Sequence, residues 1–207
     1  MKFSVLGSGS SGNSSYIEMG KKKFLIDAGF SGKKIAEKLN NIGRRIEDVD
    51  GIFVTHEHSD HIQGLGVISR KYDIPIYLHE ITYGIIREKI GKIDTKNINF
   101  LREDKISFEE CTVNNFEVMH DAEKCLGFTF EYDNKKLSYA SDVGCTNNII
   151  KENFKNSDVI VVESNYDYNM LMTGPYHWEL KNRVKGRNGH LSNSEASKLI
   201  AQVLNEK

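Results

Sequence analysis

Residues 52–61 read IFVTHEHSDH, and this stretch decides the fold. Its first three residues are apolar and predict a short buried strand. Three histidines and one aspartate follow within six positions, in the order HxHxDH. Imidazole and carboxylate groups this close together suit a borderline divalent cation such as zinc. The alternative is a polar surface loop that happens to contain histidines, but a strand followed by a loop is the context that a ligand loop needs.

The spacing of these donors separates them into two pairs. His56 and His58 are two positions apart, so on an extended chain their side chains point to the same side. Asp60 and His61 come after the chain turns, so they cannot easily share the coordination sphere of the first pair. They can serve a second ion close by. The sequence therefore indicates a metal loop with donors for two neighbouring cations.

Composition excludes several classes of protein. The 207 residues include 28 Lys and Arg and 29 Asp and Glu, which gives a formal net charge of −1. This balance excludes a binder that works by bulk positive charge, although it allows a local phosphate-binding groove. The sequence has no apolar run near the ~20 residues that span a bilayer, and we expect no cleaved secretion signal. Cys111, Cys125 and Cys145 lack CxxC spacing and favour a reducing compartment, so we expect a cytoplasmic location.

Hydrophobic periodicity predicts alternating strands and helices. Strands are expected over residues 3–6, 15–19, 23–28, 51–55, 76–78, 105–108, 112–119, 126–132, 136–141 and 159–162. Helices are expected from the N-cap Ser31 to the stop at Gly43, and over residues 65–72, 81–90, 147–154, 176–185 and 194–204. Both halves combine this alternation with antiparallel hairpins, which predicts an α/β fold with a sheet-on-sheet core and helices outside. We expect one domain over residues 1–207.

The HxHxDH motif after a strand is the signature of metallo-β-lactamase-fold hydrolases, and the chain resembles this superfamily along nearly its whole length. His120 in VMHD and Asp142 in YASDVG match the further ligands that the superfamily places at later strand ends. The early DAG element at residues 27–29 matches the segment that supports the metal loop. The resemblance therefore implies the α/β/β/α sandwich of this superfamily.

The resemblance also implies a ligand set. One ion is held by His56, His58 and His120, and the second by Asp60 and His61 with Asp142 shared between both ions. Asp27 supports the metal loop from behind the ligands. Two divalent cations are thus expected, with zinc suited to the histidine-rich first site and manganese to the second site, which is richer in carboxylates.

A closer resemblance is to the YycJ/WalJ-like branch of bacterial exonucleases. It rests on GSGSSGNS at 7–14, HDA at 120–122, ESNYD at 163–167 and GHLSN at 189–193. Glu163 also resembles the Glu of transfer-RNA 3′-processing nucleases that pairs with a later His to protonate the leaving group, here His190. The resemblance implies a nucleic-acid substrate, single-stranded or at an end, and makes Asp60, Glu163 and His190 the catalytic residues. Hydrolysis would use a hydroxide that the two metals activate.

One departure concerns the C-terminus. These nucleases carry a last metal-ligand histidine on a further strand, whereas this sequence has no histidine after His190. We expect that the sequence is truncated and that the C-terminal strand of the fold is missing. The alternatives are a second ion held by Asp60, His61 and Asp142 with water, or His190 as a ligand.

Two further segments contain candidates for substrate binding. The hydroxyl and amide groups of Ser8, Ser10, Ser11 and Asn13 lie in a glycine-rich loop that can bind a phosphate, although glycine and serine are also generic turn formers. The segment 176–187 combines aromatic residues with Lys181, Arg183, Lys185 and Arg187, which fits either a nucleic-acid grip or a solvated helix face.

Two other functions remain open at this stage. One is a hydrolase of a small ester, thioester or cyclic phosphate, because fold and metals are shared across such enzymes. The other is a metal-stabilised regulatory protein without activity. Retained Glu163 and His190 favour phosphoryl chemistry over both. Both DNA and RNA fit this interpretation as substrates, and both a monomer and an oligomer are compatible with the sequence.

Overall fold

The computed structural model describes residues Met1–Leu204. It is a mixed α/β structure with two sheets, and its backbone divides into two compact units, residues 1–112 and 113–207. No helix within the described residues has the length and apolar character needed to cross a membrane. Residues 205–207, the end of the expected domain, lie outside the described residues. That residues 1–207 form one C-terminally truncated domain stays a prediction.

The first unit is built on a six-stranded sheet. The strands of this sheet are β1 (Lys2–Gly7), β2 (Ser14–Met19), β3 (Lys22–Ile26), β4 (Gly51–Phe53), β5 (Ile76–Leu78) and β6 (Ile98–Phe100). A further strand of this unit, β7 (Lys105–Ser107), is not part of this sheet. The helices of this unit are α1 (Gly32–Asn41), α2 (Ser59–Ile62), α3 (Leu65–Tyr72) and α4 (Glu80–Ile90). The sheet follows chain order, antiparallel from β1 to β3 and parallel from β3 to β6. The carboxyl ends of β3, β4 and β5 therefore share one edge.

Strand alternation decides which side chains form the core of this unit. Leu25 and Ile52 are paired across β3 and β4 and belong to the cluster that includes Ile35 of α1 and Leu65 of α3. All four side chains are fully buried, and each contributes about 1.5–3 kcal/mol of hydrophobic stabilisation. This packing gives the loops at the shared edge a rigid base.

The second unit contains β8 (Thr112–Val118), which starts at the division, β9 (Cys125–Tyr132), β10 (Lys135–Ala140) and β11 (Val159–Val162). Its helices are α5 (Asn148–Phe154), α6 (Tyr168–Thr173), α7 (Trp178–Val184) and α8 (Asn193–Leu204). Among the strands of this unit, the order is β11-β10-β9-β8. The turn between β9 and β10 has both Asp133 and Asn134 at positive φ, 50° and 54°, as the predicted hairpin requires. β10 and β11 run parallel, so they end at the same edge.

The structure departs from the predicted elements in short segments. β6 is only three residues long and α2 only four, too short for a periodic pattern to form. α6 begins after Asp167, whose side chain accepts a hydrogen bond from the backbone N–H of Met170. α7 starts at Trp178 rather than at residue 176, because His177 is still extended.

Candidate active site

In the first unit, the parallel pairing of β3 and β4 brings Asp27 to the start of the histidine loop (residues 55–61). Ile26 is in register with Phe53, and the backbone N–H of Asp27 donates to the carbonyl of Phe53 at 2.8 Å. Asp27 follows β3 directly, and Thr55 lies two residues after β4. The shared strand edge therefore places the carboxylate of Asp27 under the loop.

Asp27 and Thr55 orient two imidazoles from behind. The backbone N–H and the hydroxyl of Thr55 donate to the two carboxylate oxygens of Asp27, both at 2.8 Å. The same carboxylate lies 2.7 Å from Nδ1 of His61, and the Thr55 oxygen lies 2.9 Å from Nδ1 of His56. The Thr55 hydroxyl has one hydrogen, so we assign an Nδ1–H donor to both histidines. Both rings then direct Nε2 away from this support, where a lone pair can bind a cation.

His56 and His58 converge as their spacing predicts. Nε2 of His56 and Nδ1 of His58 are 3.0 Å apart. Two nitrogens bound to one tetrahedral zinc ion lie about 3.3 Å apart, because each Zn–N bond is about 2.0–2.1 Å. His58 is the extended residue before α2, and its ring is not used to cap that helix. The pair therefore fits a shared cation.

The second pair of donors also meets. The chain turns into α2 after His58, and Oδ2 of Asp60 comes to lie 3.6 Å from Nε2 of His61. Nδ2 of Asn13 is 3.0 Å from each of these two atoms, and the Asn13 side-chain oxygen accepts from the N–H of Gly9 at 2.9 Å. Asn13 thus holds Asp60 beside His61. The phosphate role of Asn13 stays a prediction.

Close backbone packing fixes this arrangement at Gly29. The N–H of Gly29 donates to the carbonyl of Asn13, and the N–H of Asn13 donates to the carbonyl of Asp60. A Cβ atom at Gly29 would lie 1.7 Å from that Asp60 carbonyl oxygen and 2.5 Å from the Asn13 nitrogen. Only glycine allows the DAG segment to lie between the two loops.

A polar cleft of about 420 Å³ opens beside Asp60. The predicted phosphate residues Ser10 and Ser11 line it, together with Gln63 and Lys89. Ser8 is exposed in the same loop but is not part of the cleft lining. This cleft has the hydroxyl and ammonium groups that an anionic substrate needs.

In the second unit, parallel pairing again gathers the predicted residues. Ala140 and Val162 are in register at the ends of β10 and β11. Asp142 follows in a left-handed conformation with φ of 49°, and Glu163 comes directly after Val162. The backbone N–H of Glu163 donates to the carbonyl of Ala140 at 3.3 Å. Two carboxylates that lie 21 positions apart in sequence therefore share one sheet edge.

Glu163 anchors His190. Its Oε1 accepts from the backbone N–H of Val143 at 2.6 Å and of Leu191 at 2.8 Å, while its Oε2 lies 2.9 Å from Nδ1 of His190. The hydrogen bond to Glu163 raises the pKa of His190, burial opposes the rise, and the negative charges of Glu163 and Asp142 add to it. Asp142 Oδ1 is 3.4 Å from the same nitrogen. Donor atoms of Asp142, Glu163 and His190 all lie within 4.8 Å of one another, a group that could also hold an ion.

His120 is oriented by a backbone group. Its Nδ1 donates to the carbonyl oxygen of Gly189 at 3.0 Å, so Nε2 is the nitrogen with the lone pair that a ligand role needs. The His120 ring lies 5.2 Å from the His190 ring, centroid to centroid. A Cβ atom at Gly189 would lie 2.1 Å from the carbonyl oxygen of Val184, so the turn before His190 requires glycine. His120 and His190 are thereby held side by side.

Four contributors were not predicted from the sequence, namely Thr55, Gln63, Lys89 and the carbonyl of Gly189. Thr55 had a detectable signal, since it immediately precedes His56 at the end of the buried strand. Lys89 had none, because it reaches the cleft from a helix with no motif. The carbonyl of Gly189 could not be predicted as the partner of His120, because every residue has a backbone carbonyl and the residue type does not show which one is used.

Comparison with known proteins bears on this site. The family model described as Beta-lactamase superfamily domain matches residues 22–207. Exodeoxyribonuclease YycJ of Bacillus anthracis is 41% identical over 207 residues, 100% of this chain and 78% of that protein. Exodeoxyribonuclease WalJ of Streptococcus pneumoniae serotype 2 is 39% identical over 206 residues, 98% of this chain and 77% of that protein. The short form of human tRNase Z matches with a TM-score of 0.69 at 16% identity, over 99% of this chain and 89% of that chain, a likeness in fold.

These matches confirm the predicted superfamily and its YycJ/WalJ-like branch, together with the predicted fold. The likeness to the solved structure of human tRNase Z supports the predicted metallo-β-lactamase-type α/β fold. Membership of the family implies that the chain binds divalent metal ions. The identities of 41% and 39% extend over essentially the whole chain. The chain therefore belongs to the Beta-lactamase superfamily domain family and, within it, to the group of the YycJ and WalJ relatives.

Proposed function

We propose that this chain is a dinuclear metal-dependent phosphodiesterase that acts as an exonuclease on nucleic acid, on single strands or ends. The observation that carries the proposal is the hydrogen bond of 2.9 Å between Glu163 and His190, beside Asp142. A carboxylate that orients an imidazole is what protonation of a leaving oxygen requires. The names of the YycJ and WalJ relatives, both exodeoxyribonucleases, support DNA as the substrate class. Three free cysteines support the cytoplasmic location that we include in the proposal.

The proposed metal ligands are those that the family resemblance implies. His56, His58 and His120 would hold one ion, and Asp60 and His61 the other, with Asp142 shared. The donor set fits, because each histidine with an assigned tautomer turns Nε2 away from its supporting group. The His56–His58 separation is also close to that of two ligands on one cation. Zinc or manganese, when bound, would act as a Lewis acid on the phosphate and lower the pKa of water. Asp27 would keep His61 in the ligand tautomer.

His190 would deliver the proton that the leaving oxygen needs. Its Nδ1 is engaged by Glu163, so Nε2 is the ring nitrogen that can face a substrate. Glu163 is itself fixed by the two backbone N–H groups of Val143 and Leu191, so the imidazole is held by a rigid partner. Glu163 is therefore a positioning residue and His190 the general acid.

The cleft beside Asp60 would hold an anionic part of the substrate. Ser10 and Ser11 offer hydroxyl donors, and Lys89 brings a positive charge to the same cleft. Gln63 adds an amide that can bind either a phosphate or a base. Ser8 and Asn13 belong to the same loop, and Asn13 would act by holding Asp60.

The test combines metal analysis with a cleavage assay. Protein loaded with zinc or manganese is analysed for bound metal and incubated with an end-labelled single-stranded oligodeoxynucleotide. We expect two ions per chain and stepwise shortening, and we expect His190→Ala to lose cleavage but keep its metal. His79→Asn is the matched control, because His79 caps α4 and asparagine is a good cap. Bound metal without turnover on any phosphodiester would contradict the proposal and favour a small-ester hydrolase or an inactive regulatory protein.

A further inference from the structure

A second cleft, of about 650 Å³, lies in the second unit. Its lining includes Asp121, Asn182, Arg183, Arg187, Asn188 and Gly189. Gly189 accepts the hydrogen bond from His120 and immediately precedes His190. The cleft therefore begins directly beside the two imidazoles of this unit.

The cleft carries one uncompensated positive charge. Nε and Nη2 of Arg183 both lie 2.8 Å from Oδ2 of Asp121, which neutralises that guanidinium. Arg187 is exposed, and its guanidinium has no hydrogen bond or ion pair with any residue between 1 and 204. The side chains of Asn182 and Asn188 are exposed next to it. A free guanidinium flanked by amides is suited to a phosphate group.

An exposed tryptophan extends this surface. Trp178 is 61% exposed, and it precedes Asn182 by four residues on α7, so the two side chains lie on one face of the helix. Nζ of Lys185 lies 5.0 Å from the centre of the Trp178 ring, which keeps a second cation on this face. An indole exposed beside cations offers a base a stacking surface.

Lys181 does not belong to this surface, contrary to the interpretation of residues 181–187 as one basic run. It is buried, and its Nζ donates to the carbonyl oxygen of Met172 at 2.7 Å, so it anchors α7 to α6. Among residues 1–204, the remaining cations of this run without a carboxylate partner are Lys185 and Arg187. A surface for nucleic acid on this segment would therefore use fewer basic residues than the four that the sequence predicts.

We propose that Trp178, Asn182 and Arg187 form a subsite for a single-stranded nucleic acid, where Arg187 and Asn182 bind a backbone phosphate and Trp178 stacks on a base. The identity of this strand as substrate rests on the proposed function. The uncompensated charge of this cleft is positive, which favours a polyanion over an apolar protein surface. The subsite would hold the strand next to the phosphodiester that His190 serves.

The test is a binding titration on the metal-loaded full chain with a labelled phosphorothioate oligothymidine, which resists cleavage. We expect Arg187→Ala to weaken binding about fivefold to tenfold and to reduce the salt dependence, d log K/d log[salt], by roughly 0.7. Trp178→Ala should weaken binding about tenfold without changing that slope. Trp178→Phe and Arg187→Lys should recover part of the affinity. Arg87→Ala removes another exposed arginine, on α4, and should bind like the wild type.

The outcomes separate this inference from the proposed function. Wild-type affinity in both alanine variants, or no binding by the wild type, would overturn the subsite. A change in molecular mass on light scattering, with unchanged affinity, would mean that the surface is an interface between copies and would also overturn it. Binding through these residues without cleavage of any phosphodiester would support the subsite and reject the proposed function.

Discussion

The substitution Glu163→Gln separates positioning of the general acid from every other role of this carboxylate. In the wild type, Oε1 accepts from the two backbone N–H groups of Val143 and Leu191, and Oε2 binds Nδ1 of His190. Glutamine has nearly the same shape and can leave its oxygen with the two backbone groups. Its amide N–H would then face Nδ1 of His190, so the imidazole would have to give up the proton at that nitrogen.

The expected decrease in the cleavage rate follows from the loss of the hydrogen bond between Glu163 and His190. A hydrogen bond to a charged group contributes about 1.5–3 kcal/mol. At 1.36 kcal/mol for each factor of ten, its loss lowers the rate about 10-fold to 150-fold. The whole contribution of a general acid is roughly 100-fold to 10,000-fold, so Glu163→Gln should be milder than His190→Ala.

The assay compares two leaving groups. An oligodeoxynucleotide releases a sugar oxygen that must be protonated, whereas bis(4-nitrophenyl) phosphate releases a nitrophenolate that needs no proton. We expect Glu163→Gln to lower the cleavage rate of the oligonucleotide by the full factor given above. The hydrolysis rate of the nitrophenyl ester should change little. Glu152→Gln, at an exposed carboxylate of α5, controls for loss of charge alone.

Equal loss on both substrates would refute this reasoning. A fall in bound metal would refute it in a different way, because Asp142, Glu163 and His190 lie close enough to hold an ion themselves. In that case Glu163 would be a metal ligand, and the second metal site would include His190.

Three further predictions follow from the described contacts. Asp142→Asn should abolish hydrolysis and lower the metal content measured by elemental analysis; unchanged content would reject its bridging role. Gly29→Ala should lower the free energy of unfolding, measured by chemical denaturation, by about 1–3 kcal/mol, because the new Cβ atom would clash with the carbonyl of Asp60. The same variant should bind less metal. An unfolding free energy equal to that of the wild type would contradict this packing. Hydrogen bonds from Lys2, Tyr16 and Arg44 hold the pKa of Glu18 at about 2, below its ordinary 4.5. The folded state therefore gains about 1–2 kcal/mol, discounted for solvent screening, above pH 4.5, and this gain disappears as the pH falls towards 2; a pH-independent stability difference between the wild type and Glu18→Gln would refute it.

The fold was largely predictable because its elements have sharp chemical boundaries. α3 is found at Leu65–Tyr72 as predicted, since Gly64 precedes it and Asp73 ends it in a left-handed conformation. β11 likewise matches its apolar run of four residues. β6 and α6 were missed because three or six residues do not establish a period, and their positions depend on pairing and on a cap.

The candidate site was predictable at the level of donor type but not of orientation. Histidine and aspartate can be recognised as metal donors from the sequence alone, and their order along the chain indicates which loop holds them. The nitrogen that each ring exposes depends on partners such as the Thr55 hydroxyl and the Gly189 carbonyl, which no motif identifies. Lys181 shows the converse, because a charged residue in a basic run proved to be a buried anchor.

Asp27 and Asp142 show why asparagine is the informative substitution at both strand ends. Both residues take positive φ, 60° and 49°, just after β3 and β10. A left-handed conformation costs most L-residues about 1–2 kcal/mol, whereas aspartate and asparagine tolerate it. Asp142→Ala would therefore mix backbone strain with loss of a ligand, and a failed fold could be mistaken for a failed metal site. Asp142→Asn keeps the turn and removes only the negative charge, so a loss of metal in that variant, with an unchanged unfolding midpoint for the metal-free protein, isolates the contribution of the carboxylate.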